Sequence, residues 1–339
     1  MRSRQMQPEM LTRRLLSLFL VGLCARGYGY YNQVLLHTPQ VWMDVVAGRA
    51  SAPEQYRIGV VWAAYWITQH VGLRLSEVFG IFDLLSGLVA TLVLYRLLEL
   101  SAVYRESTLA MRWFASAGFA ALAFYALDWL NWYQKAGTLP TAALVAVLVW
   151  LWTAEKRRSA VPDSVRAGGI LLVVVLQSFV RADVALVLCL GVLVVSVARR
   201  DAALALGRGM AVATSVLGVL AAGGVQLYLM KVRYPQASYR GVPAFMLPHD
   251  FLRPAMWVAT LIALAPLLWT AAVRARERAW PAGMDGALLV SGLGYAVVWI
   301  CMGRLDEVRI FLPMALATAP LTVKTAMLCL ANTEAEAEG

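Results

Sequence analysis

The sequence predicts an all-α protein, a polytopic bundle of transmembrane helices, and three observations carry that prediction. First, 60% of the 339 residues are hydrophobic and only 15% are charged, with a mean hydropathy of +0.66. Soluble domains average about 45–50% apolar and about 25% charged residues, so a disordered chain, a disulfide scaffold and an ordinary cytosolic enzyme are excluded. Second, apolar runs of near-membrane length recur along the whole chain. Third, basic residues cluster between alternate runs, the pattern that orients helices in a bilayer. The net charge of +10, from 30 Lys and Arg against 20 Asp and Glu, therefore reads as an orientation signal and not as a nucleic-acid footprint. Residues 1–339 form a single transmembrane domain with no separate soluble domain in this reading.

The runs lie at about 13–31, 79–98, 111–128, 139–154, 168–180, 183–198, 209–230, 255–273, 284–303 and 309–331. The first follows Arg2, Arg4, Arg13 and Arg14, and gives way to Arg26-Gly-Tyr-Gly-Tyr-Tyr where a signal peptide would carry small residues. It is expected to stay as an uncleaved helix. Residues 59–71 are apolar but few; at about 1.5 Å per residue they fall short of a core about 30 Å thick. Trp62, Tyr65 and Trp66, flanked by Arg57, His70 and Arg74, place them at the membrane interface.

Residues 168–200 are the ambiguous stretch, because Arg181 and Asp183 sit at its centre. A single helix would hold both charges at mid-membrane, at a cost of several kcal/mol (about 2.5–3.5 each). A hairpin of two short helices puts them at a turn near one surface. It also brings every arginine cluster to one side, which decides for the hairpin. About ten crossings result, with both termini cytoplasmic. The long segments 32–78, with its interfacial helices, and 231–254 then lie outside. A multi-pass protein of a bacterial inner membrane is expected. The acidic tail Glu334, Glu336 and Glu338 is a solvated cytoplasmic end.

Several chemistries lack their residues. Cys24, Cys189, Cys301 and Cys329 are far apart in apolar surroundings, which suits packing and neither disulfides nor zinc. His37, His70 and His249 form no metal-binding spacing, and no phosphate-binding loop or nucleophile elbow occurs. The glycines at 221–224 and 283–294 are expected at close helix contacts, and Pro266 and Pro320 are expected to kink their helices.

Topology accounts for 18 of the 30 basic residues and leaves 12 on the outside, where the orientation rule gives them no role. The outer charges are Asp44, Glu54 with Arg57, Asp83, Asp128 with Lys135, Arg181 with Asp183, Lys231, Arg233, Arg240, Asp250, and the group Arg304, Asp306, Glu307 and Arg309. Ionisable groups at an apolar boundary are paired or functional. They are expected to line a polar cavity opening outward. Arg57, Arg181, Arg304 and Arg309, accompanied by Asp183 and Glu307, would hold a phosphate, for which guanidinium geometry is suited. A carboxylate beside them could be a general base or could bind a divalent cation. The competing reading makes these charges simple helix-end ion pairs. Asp83 either faces the bundle interior or pairs with an arginine, and Asp128, among aromatic residues, fits an interfacial belt.

The layout also carries a resemblance. A first span precedes an outer loop with an acidic residue, and Gln55-Tyr56-Arg57 leads into an interfacial helix. Arg181-Ala-Asp183 tips a short hairpin, and Glu307-Val-Arg309-Ile-Phe-Leu-Pro313 opens the last span. This resembles bacterial multi-pass members of the GT-C glycosyltransferase superfamily. The resemblance implies a polyprenyl-phosphate-linked sugar as donor, in the membrane lipid, and transfer at the outer face. By position, Asp44 matches the superfamily's acidic residue, with Glu54 as the substitute, although Asp44 lacks the adjacent second acid of many such enzymes. Arg181, Arg304 and Arg309 would hold the lipid phosphate. The alternatives are a lipid or solute transporter, or flippase, whose charges line a path, and a non-catalytic membrane scaffold.

Overall fold

The computed structural model describes residues 40–100, 107–128, 137–153, 161–198, 204–238, 245–278, 280–305 and 307–338, and individually Leu11, Leu15, Leu18 and Gly22. Every regular element among them is helical. In chain order these are α1 (Gln40–Val46), α2 (Ile58–Val71), α3 (Leu75–Leu100), α4 (Leu109–Asp128) and α5 (Thr138–Thr153). The broken element Asp163–Ala198 supplies α6 (163–180) and α7 (182–198). The remaining long helices are α8 (Arg208–Tyr228), α9 (Pro254–Arg276), α10 (Gly283–Met302) and α11 (Leu312–Glu338), with shorter turns at Glu54–Tyr56, Leu229–Arg233, Leu247–Asp250 and Val308–Ile310. Six elements are long and apolar enough to cross a membrane, Asp163–Ala198 among them, and Leu109–Ala123 and Thr138–Thr153 are shorter apolar helices. Leu172, Leu217, Leu220, Val258 and Ile262 stand exposed on the outside of the bundle, a surface suited to lipid and not to water. The chain is a multi-pass membrane protein. The expected first crossing falls outside the described residues except for Leu15, Leu18 and Gly22, which are helical.

The hairpin is real. Arg181 leaves the helical region with φ −156° and ψ 89°, and the chain doubles back there. A β-carbon placed on Gly218 of α8 would lie 2.6 Å from Cys189 Sγ and 3.8 Å from Val174 Cγ1. A straight helix would hold those two residues about 22 Å apart. At the far end, Arg166 of α6 donates to the Ala205 carbonyl at 3.4 Å, and Arg208 donates to the Ser196 carbonyl of α7 at 2.9 Å. Both arms therefore start from the same end. The break leaves backbone groups without helical partners, and the buried Gln177 amide donates to the Arg181 carbonyl at 3.2 Å.

The glycine expectation needs correction. Gly223 and Gly224 have nothing within 4 Å of a would-be β-carbon, and neither does Gly294. The close contacts are at Gly218 and at Gly191, where a β-carbon would lie 2.0 Å from Ser291 Oγ. Gly286 and Gly292 behave as expected, a β-carbon on the first lying 3.5 Å from Val195 of α7 and one on the second 2.7 Å from Thr318. Apolar helices give no amphipathic signal to tell a packed stripe from a lipid-facing one, so small residues alone did not identify the interface.

One end of the bundle is rich in cations with short connections: Arg96, Arg112, Arg166, Arg208, Arg274, Arg276, Arg278 and Lys324. The opposite end carries the long segments. There α1 buries Trp42 and Val45, with Trp42 tilted against Phe79 of α3 at 4.8 Å between ring centroids. The short α2 buries Val60, Val61 and Ala64 and exposes Trp62 and Trp66. Gly59, at its first turn, lies against the Phe179 backbone, where a β-carbon would be 3.2 Å from the carbonyl. That close approach sets the start of α2 beside the hairpin tip.

Candidate functional site

At the end with the long segments, six elements and a loop enclose a cavity of about 370 Å³. Its wall includes Trp42 and Asp44 from α1, Arg49 and Ser51 from the following loop, Glu54 from a short 3-10 turn, and Arg57 from the start of α2. Thr138 of α5, Arg181 at the hairpin tip, and Arg309 in the turn before α11 complete it. Asp44, Glu54, Arg57, Arg181 and Arg309, drawn from four separate stretches of sequence, thus face one space.

The loop bearing the acids is held from both sides. The fully buried Gln55 side chain accepts from the Ala50 N–H at 2.9 Å and donates to the Val45 carbonyl at 3.0 Å. The second long segment clamps it from outside: Tyr56 Oη donates to the Ala237 carbonyl at 2.7 Å, and Gln236 donates to the Gly48 carbonyl at 3.0 Å. The Ala52 N–H donates to the Ser238 carbonyl at 3.1 Å. Gly48 has φ +74° and lies under the Tyr234 ring, where a β-carbon would approach to 3.2 Å; the left-handed backbone and the close ring both favour glycine.

Asp44 is one-third accessible and ion-paired with the exposed Arg49 at 3.1 Å. The half-buried Glu54 acts electrostatically on both Arg57 and Arg309. Asp183 and Glu307 each pair with one of the arginines. Arg181 Nη2 meets Asp183 Oδ2 at 2.6 Å, and Arg309 Nη2 meets Glu307 Oε2 at 2.7 Å. The Tyr295 hydroxyl of α10 donates to Asp183 Oδ2 at 2.8 Å and also touches Arg181 Nη2. Burial, then the nearby Arg181 guanidinium, pulls the Arg57 side chain below the usual arginine range. Burial also lowers that of Arg309; Glu307 opposes the shift, while Arg57 and Arg181 add to it. Three guanidiniums are thus close enough to feel one another in a poorly solvated place, where Asp183, Glu54 and Glu307 offset part of their repulsion.

Arg304 does not share this placement. It is absent from the cavity wall, and its carbonyl accepts from Trp299 Nε1 at 2.9 Å. The chain leaves α10 through Gly303 and is pinned just beyond by the Leu305 N–H, which donates to the buried Asp250 at 3.2 Å. Asp250, counted among the outer charges, has that structural task. Asp83 is 2% exposed within α3 and faces the interior. Asp306, Lys135, Arg240 and the side chain of Asp128 lie outside the described residues. No group of three or more His, Cys, Asp or Glu side chains able to hold a metal gathers among the described residues; the cavity's own carboxylates are Asp44, tied to Arg49, and Glu54.

Sequence reasoning did not single out Tyr295, Arg49 or Trp42. Tyr295 lies in an apolar run with no charged neighbour, so only the packing of α10 against the hairpin reveals it. Arg49 follows Asp44 by little more than one helical turn, and that spacing was the available signal.

The chain matches no protein-family model, no curated protein and no solved structure in any of the three comparisons made.

Proposed function

We propose that the protein is a glycosyltransferase that moves a sugar from a polyprenyl-phosphate donor to an acceptor at the extracytoplasmic face of a bacterial inner membrane. The observation that supports this reading most is the shared cavity: two carboxylates and three mutually repelling arginines face one space at one end of the bundle. Arg57, Arg181 and Arg309 bind the donor phosphate. Glu54, the carboxylate set among them, takes the proton of the acceptor hydroxyl. The acceptor oxygen then bonds to the anomeric carbon as the bond from that carbon to the phosphate oxygen breaks. Polyprenyl phosphate leaves with its added negative charge on the guanidiniums, which is where the stabilisation of the transition state arises. Asp44 and Arg49, paired with each other, meet the acceptor. The cation-rich end faces the cytoplasm under the orientation rule, which turns the cavity outward and both termini inward.

The test is transfer from a radiolabelled polyprenyl-phosphate sugar by the purified protein in lipid, read as label leaving the donor. Transfer that falls at least 100-fold in Arg181→Gln supports the assignment. Transport of the labelled lipid across proteoliposomes without glycosyl transfer would replace it with the flippase reading.

A further inference from the structure

The end opposite the cavity carries a second group of cations that the proposed reaction does not use. Arg274, in the last turn of α9, is 6% exposed. Its Nε donates to Thr325 Oγ1 of α11 at 3.1 Å, while its Nη2 is buried without a hydrogen-bond acceptor among the described residues. Leaving a charged donor unsatisfied is costly in a low-dielectric place. Beside Thr325, Lys324 pairs with Asp285 of α10 and keeps about a third of its side chain accessible (32%). Arg276 and Arg278 stand exposed at the end of α9, with Glu277 between them. The group keeps an excess of positive charge after Glu277 and Asp285 are counted.

The depth of this group is marked by its aromatic neighbours. Trp269 and Trp280 flank it in sequence and are 41% and 49% exposed. Exposed tryptophans of this kind settle at the headgroup level of a bilayer. Most of the apolar surface of α9 is uncovered, since only 33% of its apolar window is buried, so the exposed Arg276 and Arg278 stand at the end of an open apolar face, while Arg274 is covered against α11. We propose that this end is a binding site for the phosphate headgroup of an anionic phospholipid, with Arg274 Nη2 as the inner donor and Arg276, Arg278 and Lys324 as the outer cations. Basic pockets between transmembrane helices suit such headgroups. Nη2 is covered in this structure, so a phosphate oxygen reaches it by a rotamer change of the surrounding side chains.

The experiment is a thermal-unfolding titration of the full-length protein in neutral detergent with phosphatidylglycerol, with phosphatidylcholine as the neutral lipid and inorganic phosphate as the free anion. Phosphatidylglycerol is expected to raise the melting midpoint saturably, and the other two are not. Arg274→Gln should weaken the apparent phosphatidylglycerol affinity about tenfold, the loss of one charge-assisted contact. Arg96→Gln, at an exposed arginine of the same end paired with Glu99, should leave it unchanged. Equal affinity in Arg274→Gln and the native protein, or equal weakening in Arg96→Gln, overturns the site. Saturable stabilisation by inorganic phosphate alone overturns the lipid as its ligand. Should Arg274→Gln fail to fold, the exposed double variant Arg276→Gln/Arg278→Gln takes its place. It should weaken binding at least fivefold, and unchanged binding there refutes the proposal.

Discussion

Arg57, Arg181 and Arg309 each reach the cavity with a different neighbour, and those neighbours determine what a substitution does. Arg309 and Glu307 are both nearly buried, with 4% and 12% of their side chains accessible. Arg309→Gln strands a carboxylate and should destabilise the protein by about 3–5 kcal/mol. Adding Glu307→Gln should recover most of that loss, measured as a double-mutant cycle in detergent melts. The two acids should separate kinetically. Glu54→Gln is expected to lower kcat at least about 100-fold, the scale of a lost general base, whereas Asp44→Asn should cost less than about fivefold. Near-native turnover in Glu54→Gln would move the base elsewhere. The residues were legible in the sequence because buried charge is expensive: an arginine at an apolar boundary stands out whatever surrounds it. Arg304 stood out for the same reason, and its position in the fold shows that expense alone does not say which space a side chain faces.

Helix boundaries followed closely from hydropathy, and the hairpin from a charge argument, but helix contacts did not. Gly218 and Gly223 show the difference. Both lie on α8, yet a β-carbon on Gly218 would meet Cys189 Sγ at 2.6 Å while one on Gly223 would meet nothing within 4 Å. Gly218→Val should therefore cost about 1–3 kcal/mol by overpacking. Gly223→Val should fall within about 0.5 kcal/mol of the native protein, or stabilise it through its helix propensity. Equal effects in thermal melts would contradict the packing of α8 on the hairpin. The 3-10 turn before α2 and the clamp from the 234–238 segment also lay beyond sequence reasoning. Their bonds join the Tyr56 hydroxyl and the Ala52 and Gly48 backbones to a segment far along the chain, and no local pattern encodes such a partner.

Across the whole molecule the two ends differ in construction: short basic connections at one, long folded segments with a charged cavity at the other. The orientation rule predicts which end faces the cytoplasm, and labelling checks it. In a variant lacking the four native cysteines, Arg49→Cys should react with a membrane-impermeant thiol reagent on intact cells. Arg278→Cys should react only after permeabilisation. The reverse pattern would place the cavity inside and remove the extracytoplasmic acceptor from the proposed reaction.

The sequence by itself determined that this is a multi-pass helical bundle, broken near Arg181, with surplus charge gathered on one side. Those features follow from the cost of placing polar groups in hydrocarbon, a cost each segment bears independently of its neighbours. Only the tertiary structure decided that Glu54, Arg57, Arg181 and Arg309 share a cavity, that Tyr295 supports the Arg181–Asp183 pair, and that Arg304 is not part of the cavity wall. Convergence depends on how uniformly apolar helices pack and on where close-approach residues such as Gly59 let the chain in, and neither is written in the polarity of any single segment.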